Sequence, residues 1–131
     1  MKIFITLLSL FITTQHFLLM HPIQNAIENG DFSGFKTICK KSISINLEKP
    51  FLINGYFYAD KFIDDFRMKF SEYKAQRIEW SSKQIEGDFA IQSLNLALKN
   101  KKSGRIVLYK LIFFMTRDKE WKLYYLRGLR I

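Results

Sequence analysis

Histidine and cysteine are almost missing from this 131-residue chain. The only two histidines, His16 and His21, lie near the N-terminus, and the single cysteine is Cys39. The rest of the chain therefore lacks the usual general base near neutral pH, which excludes Ser-His-Asp and Cys-His sites. One cysteine without histidine also cannot supply the ligands of a tetrahedral zinc site. We accordingly predict no catalytic residues of these classes, no metal and no cofactor.

A lone cysteine cannot form an intrachain disulfide, so the fold must depend on its hydrophobic core. Cys39 ends an apolar run that begins at Phe35, and this position predicts a buried thiol. Hydrophobic residues make up 48% of the chain and aromatic residues 16%, which is enough for one core at this length. No Pro-, Gly- or Ser-rich linker interrupts the chain, so we predict a single domain.

The N-terminus has the pattern of a secretory leader. Met1 and Lys2 precede an apolar stretch over residues 3–12, as in a signal peptide. No small-residue cleavage site follows, and residues 3–20 approach the minimum length of a membrane helix. We interpret residues 1–21 as a signal peptide or an uncleaved anchor, with a buried N-terminal helix as the third alternative. The domain at 22–131 is then exported, periplasmic or extracellular, and held at a membrane if the leader stays.

Helix signals dominate the first half of the chain. Residues 22–29 read as a short helix that stops at Gly30, and Asp31 is placed to cap a second helix with Phe32 and Phe35 on one side. Residues 42–47 alternate in the manner of a strand. A longer helix is predicted from Asp60 to Lys74, because its apolar residues fall within one stripe. They are Phe62, Ile63, Phe66, Phe70 and Tyr73.

Strand signals dominate the second half. Three turn-like breaks divide it into strands at about 76–86, 88–99, 105–116 and 120–131, which would form an antiparallel meander. Helices followed by a sheet predict an α+β fold. The strand at 105–116 is apolar on both faces, whereas a sheet covered on one face shows alternation. Its second face must be covered by a curled sheet edge, a ligand or a second copy of the chain.

Five short motifs carry a resemblance to a known family. They are Ile27-Glu28-Asn29-Gly30-Asp31-Phe32, Ser42-Ile43-Ser44-Ile45, Gly55-Tyr56-Phe57-Tyr58 leading into Phe66 and Phe70, Ser103-Gly104-Arg105-Ile106, and the ending Trp121-Lys122-Leu123, Leu126-Arg127 and Arg130-Ile131. In this order the chain resembles the nuclear transport factor 2-like (cystatin-like) superfamily, and within it the exported bacterial domain of unknown function 4783 family. The resemblance implies N-terminal helices packed on a strongly curved antiparallel sheet, in a cone shape. It implies export but no reaction.

Four side chains are candidates for a ligand site. Asn95 and Arg127 interrupt apolar strand faces, and a buried Arg127 would need a carboxylate or a ligand anion. Trp80 and Tyr109 have amphipathic rings that can line a pocket. The ordinary alternative is that Arg127 extends to water and the rings fill the core.

Three functions compete at this level. The first is a non-catalytic exported binder, with a small apolar or anionic ligand in the cone or a protein partner, including a second copy, on the sheet face. The second is an isomerase-like or hydrolase-like enzyme, for which Glu79 is the one acid we can place in a pocket. The third follows from the net charge of +9 and is anionic-surface binding. Its candidate residues are Lys99, Lys101, Lys102 and Arg105; export argues against nucleic acid as the partner.

Overall fold

The computed structural model describes residues 21–131, so the leader interpreted at 1–21 lies almost wholly outside the described residues. Helix α1 is seen over residues 21–29, followed by a short 3-10 turn, Lys36–Ile38. The remaining elements are β1 (Cys39–Leu47), β2 (Ile53–Tyr58), α2 (Ala59–Phe70), β3 (Tyr73–Trp80), β4 (Gln84–Glu86), β5 (Phe89–Asn100), β6 (Ile106–Arg117) and β7 (Trp121–Arg130). Helices and sheet are both present, so the α+β prediction is confirmed.

Helix α1 ends as its sequence predicts. Gly30 has a φ of +71°, a left-handed conformation that glycine adopts without strain, and its N–H donates to the carbonyl of Ala26 at 3.0 Å. Ile23, Ala26 and Ile27 are buried on one side of the helix. Their spacing places α1 against the core.

The second predicted helix is wrong, because Asp31 forms a local turn instead of a helix cap. Its Oδ1 accepts hydrogen bonds from the backbone N–H of Ser33 at 3.1 Å and from Ser33 Oγ at 2.6 Å. Such a turn competes with helix formation. The apolar spacing nevertheless finds the core, since Phe32 and Phe35 are buried, with ring centroids 5.9 and 6.5 Å from Phe66.

Helix α2 confirms the predicted apolar stripe but is shorter than expected. Phe62, Ile63, Phe66 and Phe70 are all buried. The helix ends at Phe70 instead of Lys74, because Tyr73 already begins strand β3 opposite Asn100. Asp60 lies in the first turn of the helix, where its negative charge interacts favourably with the positive end of the helix dipole.

The sheet is mixed instead of purely antiparallel. Its strand order is β2-β1-β7-β6-β5-β3, with β4 also paired to β5, and the sheet is curved. All pairs are antiparallel except β1 with β7, which run parallel. The predicted strand at 76–86 is two strands, β3 and β4. Strand β2 was not predicted. Its Asn54-Gly55 pair is a common turn signal, but Gly55 lies within the strand with a φ of +142°.

Aromatic side chains fill the space between the helices and the sheet. Phe51 lies at the centre, with its ring centroid 5.0 Å from that of Tyr109, 5.4 Å from Phe66 and 5.9 Å from Phe70. Phe62 and Phe66 stack at 5.4 Å. Any open space for a ligand therefore lies at the margin of this core. Within residues 21–131, no helix is both long and apolar enough to cross a membrane.

Candidate functional site

Tyr109 and Trp80 both lie on the sheet side that faces the helices. Tyr109 is fully buried, and its hydroxyl donates a hydrogen bond to the carbonyl of Glu48 at 2.8 Å. Burial, and secondarily the charge of Glu48, raises the pKa of this hydroxyl. Trp80 is half-buried and donates its indole N–H to Gln24 Oε1 at 2.6 Å. Both side chains are thus held by protein partners.

Arg127 and Asn95 lie on the other side of the sheet. Both are exposed; Arg127 is opposite Ile112 of β6, and Asn95 is opposite Glu79 of β3. The structure therefore separates the four predicted ligand residues into two inner rings and two outer polar groups. It does not bring them together in one pocket.

Glu79 also lies on this outer side. Its carboxylate is exposed and accepts a hydrogen bond from Arg77 Nε at 2.8 Å. Glu79 therefore does not face the core. It cannot act as the pocket carboxylate that the isomerase-like hypothesis requires.

We call the sheet surface opposite the helices the open face. Residues that pair directly across neighbouring strands share a face, so the register defines its members. They include Tyr56 and Tyr58 of β2, Phe89 and Ile91 of β5, Ile106, Leu108, Lys110, Ile112 and Phe114 of β6, and Tyr125, Arg127 and Leu129 of β7. The sequence prediction that the strand at 105–116 is apolar on both faces is confirmed.

A groove of about 570 Å³ lies at the margin of the core, between α1, the end of α2 and β3. It is partly open to solvent. Its apolar lining is Ile27, Phe32, Phe70, Tyr73, Ala75 and Ile78. Gln24, which holds the indole of Trp80, also borders it. The groove lies within the size range of small-molecule sites in proteins.

Positive charge surrounds this groove. Arg67, Lys74, Arg77 and Lys101 border it, against the single carboxylate of Glu28. Arg67 and Arg77 have acidic neighbours, Asp64 at 3.8 Å and Glu79, whereas Lys74 and Lys101 form no ion pair within residues 21–131.

Lys74 is also placed directly opposite Lys99 across the β3–β5 pair. Two like charges in directly opposite positions destabilise a sheet. Lys99, like Lys74, has no carboxylate partner in the part of the chain that the structure describes. Lys74 is the member of this pair that borders the groove, so the groove has an uncompensated cation at this corner, and Lys99 lies across the strand pair from it.

The excess positive charge belongs to one part of the fold. Residues 21–72 contain seven Lys or Arg and seven Asp or Glu, whereas residues 73–131 contain 13 Lys or Arg and five Asp or Glu. Strands β3 to β7 and their turns thus carry the whole positive excess of the described chain. The positive excess is thus a property of the second half of the sequence, which supplies five of the seven strands.

Comparisons with known proteins define the class of fold. No family model matches the sequence, and no curated protein matches it. Solved structures do match. A domain of unknown function 4783 family protein from Bacteroides uniformis superposes with a TM-score of 0.69 at 8% identity, over 85% of this chain and 95% of its own. A nuclear transport factor 2-like protein from Cytophaga hutchinsonii gives 0.62 at 12% identity, over 86% and 93%.

A third match is a Rhodopseudomonas palustris protein named provisionally as an isomerase, with a TM-score of 0.69 at 14% identity over 88% of each chain. The chain therefore has the nuclear transport factor 2-like fold. The resemblance to the domain of unknown function 4783 family, inferred above from five motifs, is supported at the level of structure.

Sequence reasoning missed the groove itself. Its walls come from residues 24–32, the end of α2 and β3, which are far apart in the chain. Lys101 belongs to the basic group predicted from the sequence, but nothing in the sequence pairs Lys74 with Lys99. Only the register of β3 against β5 does so.

Proposed function

We propose that this chain is an exported binding domain that holds a small ligand in the groove at the margin of the core. The ligand carries one anionic group and an apolar part. The observation that supports this most is that Lys74 and Lys101, which form no ion pair within residues 21–131, border an apolar groove. An anion placed there gains charge-assisted hydrogen bonds, and next to Lys74 it also offsets the repulsion from Lys99.

The dimensions of the groove support a ligand of modest size. Its volume of about 570 Å³ exceeds what a single inorganic anion needs. Ile27, Ala75 and Ile78 offer aliphatic surface, and Phe32 and Phe70 offer ring faces. The apolar part of the ligand would bury against these side chains, while its anionic group lies toward Lys74 and Lys101.

The isomerase-like alternative has less support from the geometry. Glu79 is on the open face, and the one carboxylate that borders the groove, Glu28, is exposed and accepts a hydrogen bond from Gln24 at 2.8 Å. Raising the pKa of a carboxyl for acid–base catalysis requires burial or a close like charge. The provisionally named isomerase shares only the fold with this chain.

The test compares decanoate with decanol, which share an alkyl chain but differ in charge. We expect decanoate to bind more tightly and to shift amide NMR signals of residues 24–32 and 73–78. Lys74→Gln combined with Lys101→Gln should weaken decanoate binding by roughly tenfold or more, since hydrogen bonds to charged groups contribute about 1.5–3 kcal/mol. Decanol binding should be unchanged by this pair of substitutions.

The matched control is Lys49→Gln with Lys119→Gln, which removes the same charge from exposed positions outside the groove. It should leave decanoate binding as in the parent protein. Equal affinity for decanoate and decanol, or shifts confined to the open face, would refute the proposal.

Export is proposed from the leader at residues 1–21 alone. Fractionation of the native host, followed by intact-mass measurement, tests it. A periplasmic, extracellular or membrane-held product supports export, and the mass shows whether the leader was cleaved. A full-length product in the cytoplasm contradicts it.

A further inference from the structure

The open face concentrates the exposed apolar side chains of the molecule. Of the ten large hydrophobic residues exposed in the described part of the chain, six lie on this face. They are Tyr56, Tyr58, Phe89, Ile91, Ile106 and Leu108. A monomeric soluble protein rarely exposes a contiguous apolar surface of more than a few hundred Å². The two longest strands, β5 and β6, have twelve residues and span about 40 Å, and six strands side by side span roughly 25 Å.

Cations accompany these apolar side chains. Lys99, Lys110 and Arg127 lie on the open face in the three long strands, and none forms an ion pair within residues 21–131. Carboxylates on this face are confined to the edge strands, where Glu79 is paired with Arg77 and Glu86 lies beside Phe89.

Acidic side chains gather instead on the helix side. Asp60, Asp64 and Asp65 lie on α2, and Glu28 lies on α1. The three aspartates are ion-paired with Lys36, Arg67 and Lys61. The molecule is therefore electrically asymmetric, with unpaired cations on the apolar sheet face and paired charges on the helix layer. A planar anionic surface would attract the first much more strongly than the second.

We propose that the open face docks on an anionic lipid surface. Aliphatic and aromatic side chains insert at the level of the headgroups, and the cations contact lipid phosphates while their stems remain among apolar groups. This role is separate from ligand binding in the groove, which opens between α1 and β3 at the sheet margin.

The charge pattern favours lipid over a second copy of the chain. Lys110 and Arg127 lie near the middle of the face, in the paired strands β6 and β7. A twofold contact through this face would enclose the cations of two copies without carboxylates between them. Unpaired charges in an interface are costly. An anionic bilayer supplies the missing counter-charge.

The test uses the full chain as it is purified from cells, with vesicles of phosphatidylcholine alone or in a three-to-one mixture with phosphatidylglycerol. Lys110→Gln with Arg127→Gln should lower the partition coefficient on mixed vesicles roughly 30-fold at low salt. Lys36→Gln with Lys61→Gln removes equal charge from the helix side and should change the partition coefficient less than threefold. Equal losses in the two double variants, or equal binding to the two vesicle types, overturn the proposal.

Two further measurements distinguish docking through the open face from other causes of vesicle binding. An indole introduced by Leu108→Trp should be quenched by brominated lipids in mixed vesicles, which insertion of the leader alone would not produce. Quenching no greater than in the parent protein overturns the proposal. Sedimentation equilibrium without lipid should show a monomer; a dimer that Leu108→Ser dissociates would mean that a second copy occupies the face.

Discussion

Replacement of Gly128 by alanine should destabilise the fold more than any other exchange of one glycine for alanine. Gly128 is buried in β7, between Leu47 of β1 and Leu111 of β6. A Cβ built there would lie 2.8 Å from Leu47 Cδ2 and 2.8 Å from Tyr109 Cε1, and would also strike the Tyr109 hydroxyl. Real Cβ atoms do not approach so closely, so the ring or the strand must move.

The size of the effect follows from two losses. Overpacking a well-packed core costs about 1–3 kcal/mol. Displacement of the Tyr109 ring also breaks its 2.8 Å hydrogen bond to the Glu48 carbonyl, which contributes about 1 kcal/mol. The free energy of unfolding should therefore fall by roughly 2–4 kcal/mol in Gly128→Ala, if both losses add.

Urea unfolding followed by tryptophan fluorescence measures this change. Tyr109→Phe alone should cost about 1 kcal/mol, and the double variant should cost less than the sum, because the removed hydroxyl is an obstacle to the new Cβ. Gly34→Ala is the control. Its new Cβ would contact only Pro22, with 3.2 Å between the two Cβ atoms. Gly128→Ala within about 0.5 kcal/mol of the parent, a change usual for neutral surface sites, would refute the packing argument.

Three further predictions concern single groups. Burial raises the pKa of Cys39 to about 12, so its alkylation by iodoacetamide at pH 8 should be slow until urea unfolds the chain; fast labelling would contradict burial. Hydrogen bonds from Ser33 lower the pKa of Asp31 below 3.8, so their stabilisation is present above that pH and lost as pH falls through the folded pKa. An NMR titration of Ser33→Ala should show this pKa rising; an unchanged pKa counts against the turn. Lys69→Met removes the 2.7 Å bond from Nζ to the Phe51 carbonyl and should cost about 1 kcal/mol in urea unfolding; no loss would mean that water replaces it.

Residue patterns predicted only part of the candidate site. Trp80 and Tyr109 were predicted to line a pocket or, alternatively, to fill the core, and both lie on the helix side of the sheet. Arg127 and Asn95 share the alternation of their strands but lie on the open face. Alternation shows which residues share a face, but it does not show which face the helices cover when both are apolar.

Glycine positions show the same limit. Gly30 was correctly read as a helix stop, because a left-handed φ at that point depends on local backbone preference. Gly55 and Gly128, by contrast, lie within strands β2 and β7. Gly128 must lack a side chain because Leu47 and Tyr109 approach it closely. These two residues are 81 and 19 positions away in the chain.

Local patterns by themselves determined the α+β class, the stop of α1, the buried stripe of α2 and three long antiparallel strands. These depend on periodicity and turn chemistry over a few residues. Tertiary structure alone decided the parallel pairing of β1 with β7, the Lys74–Lys99 opposition and the groove. Each of these joins residues distant in the chain, and the energy that selects them comes from burying one shared aromatic core.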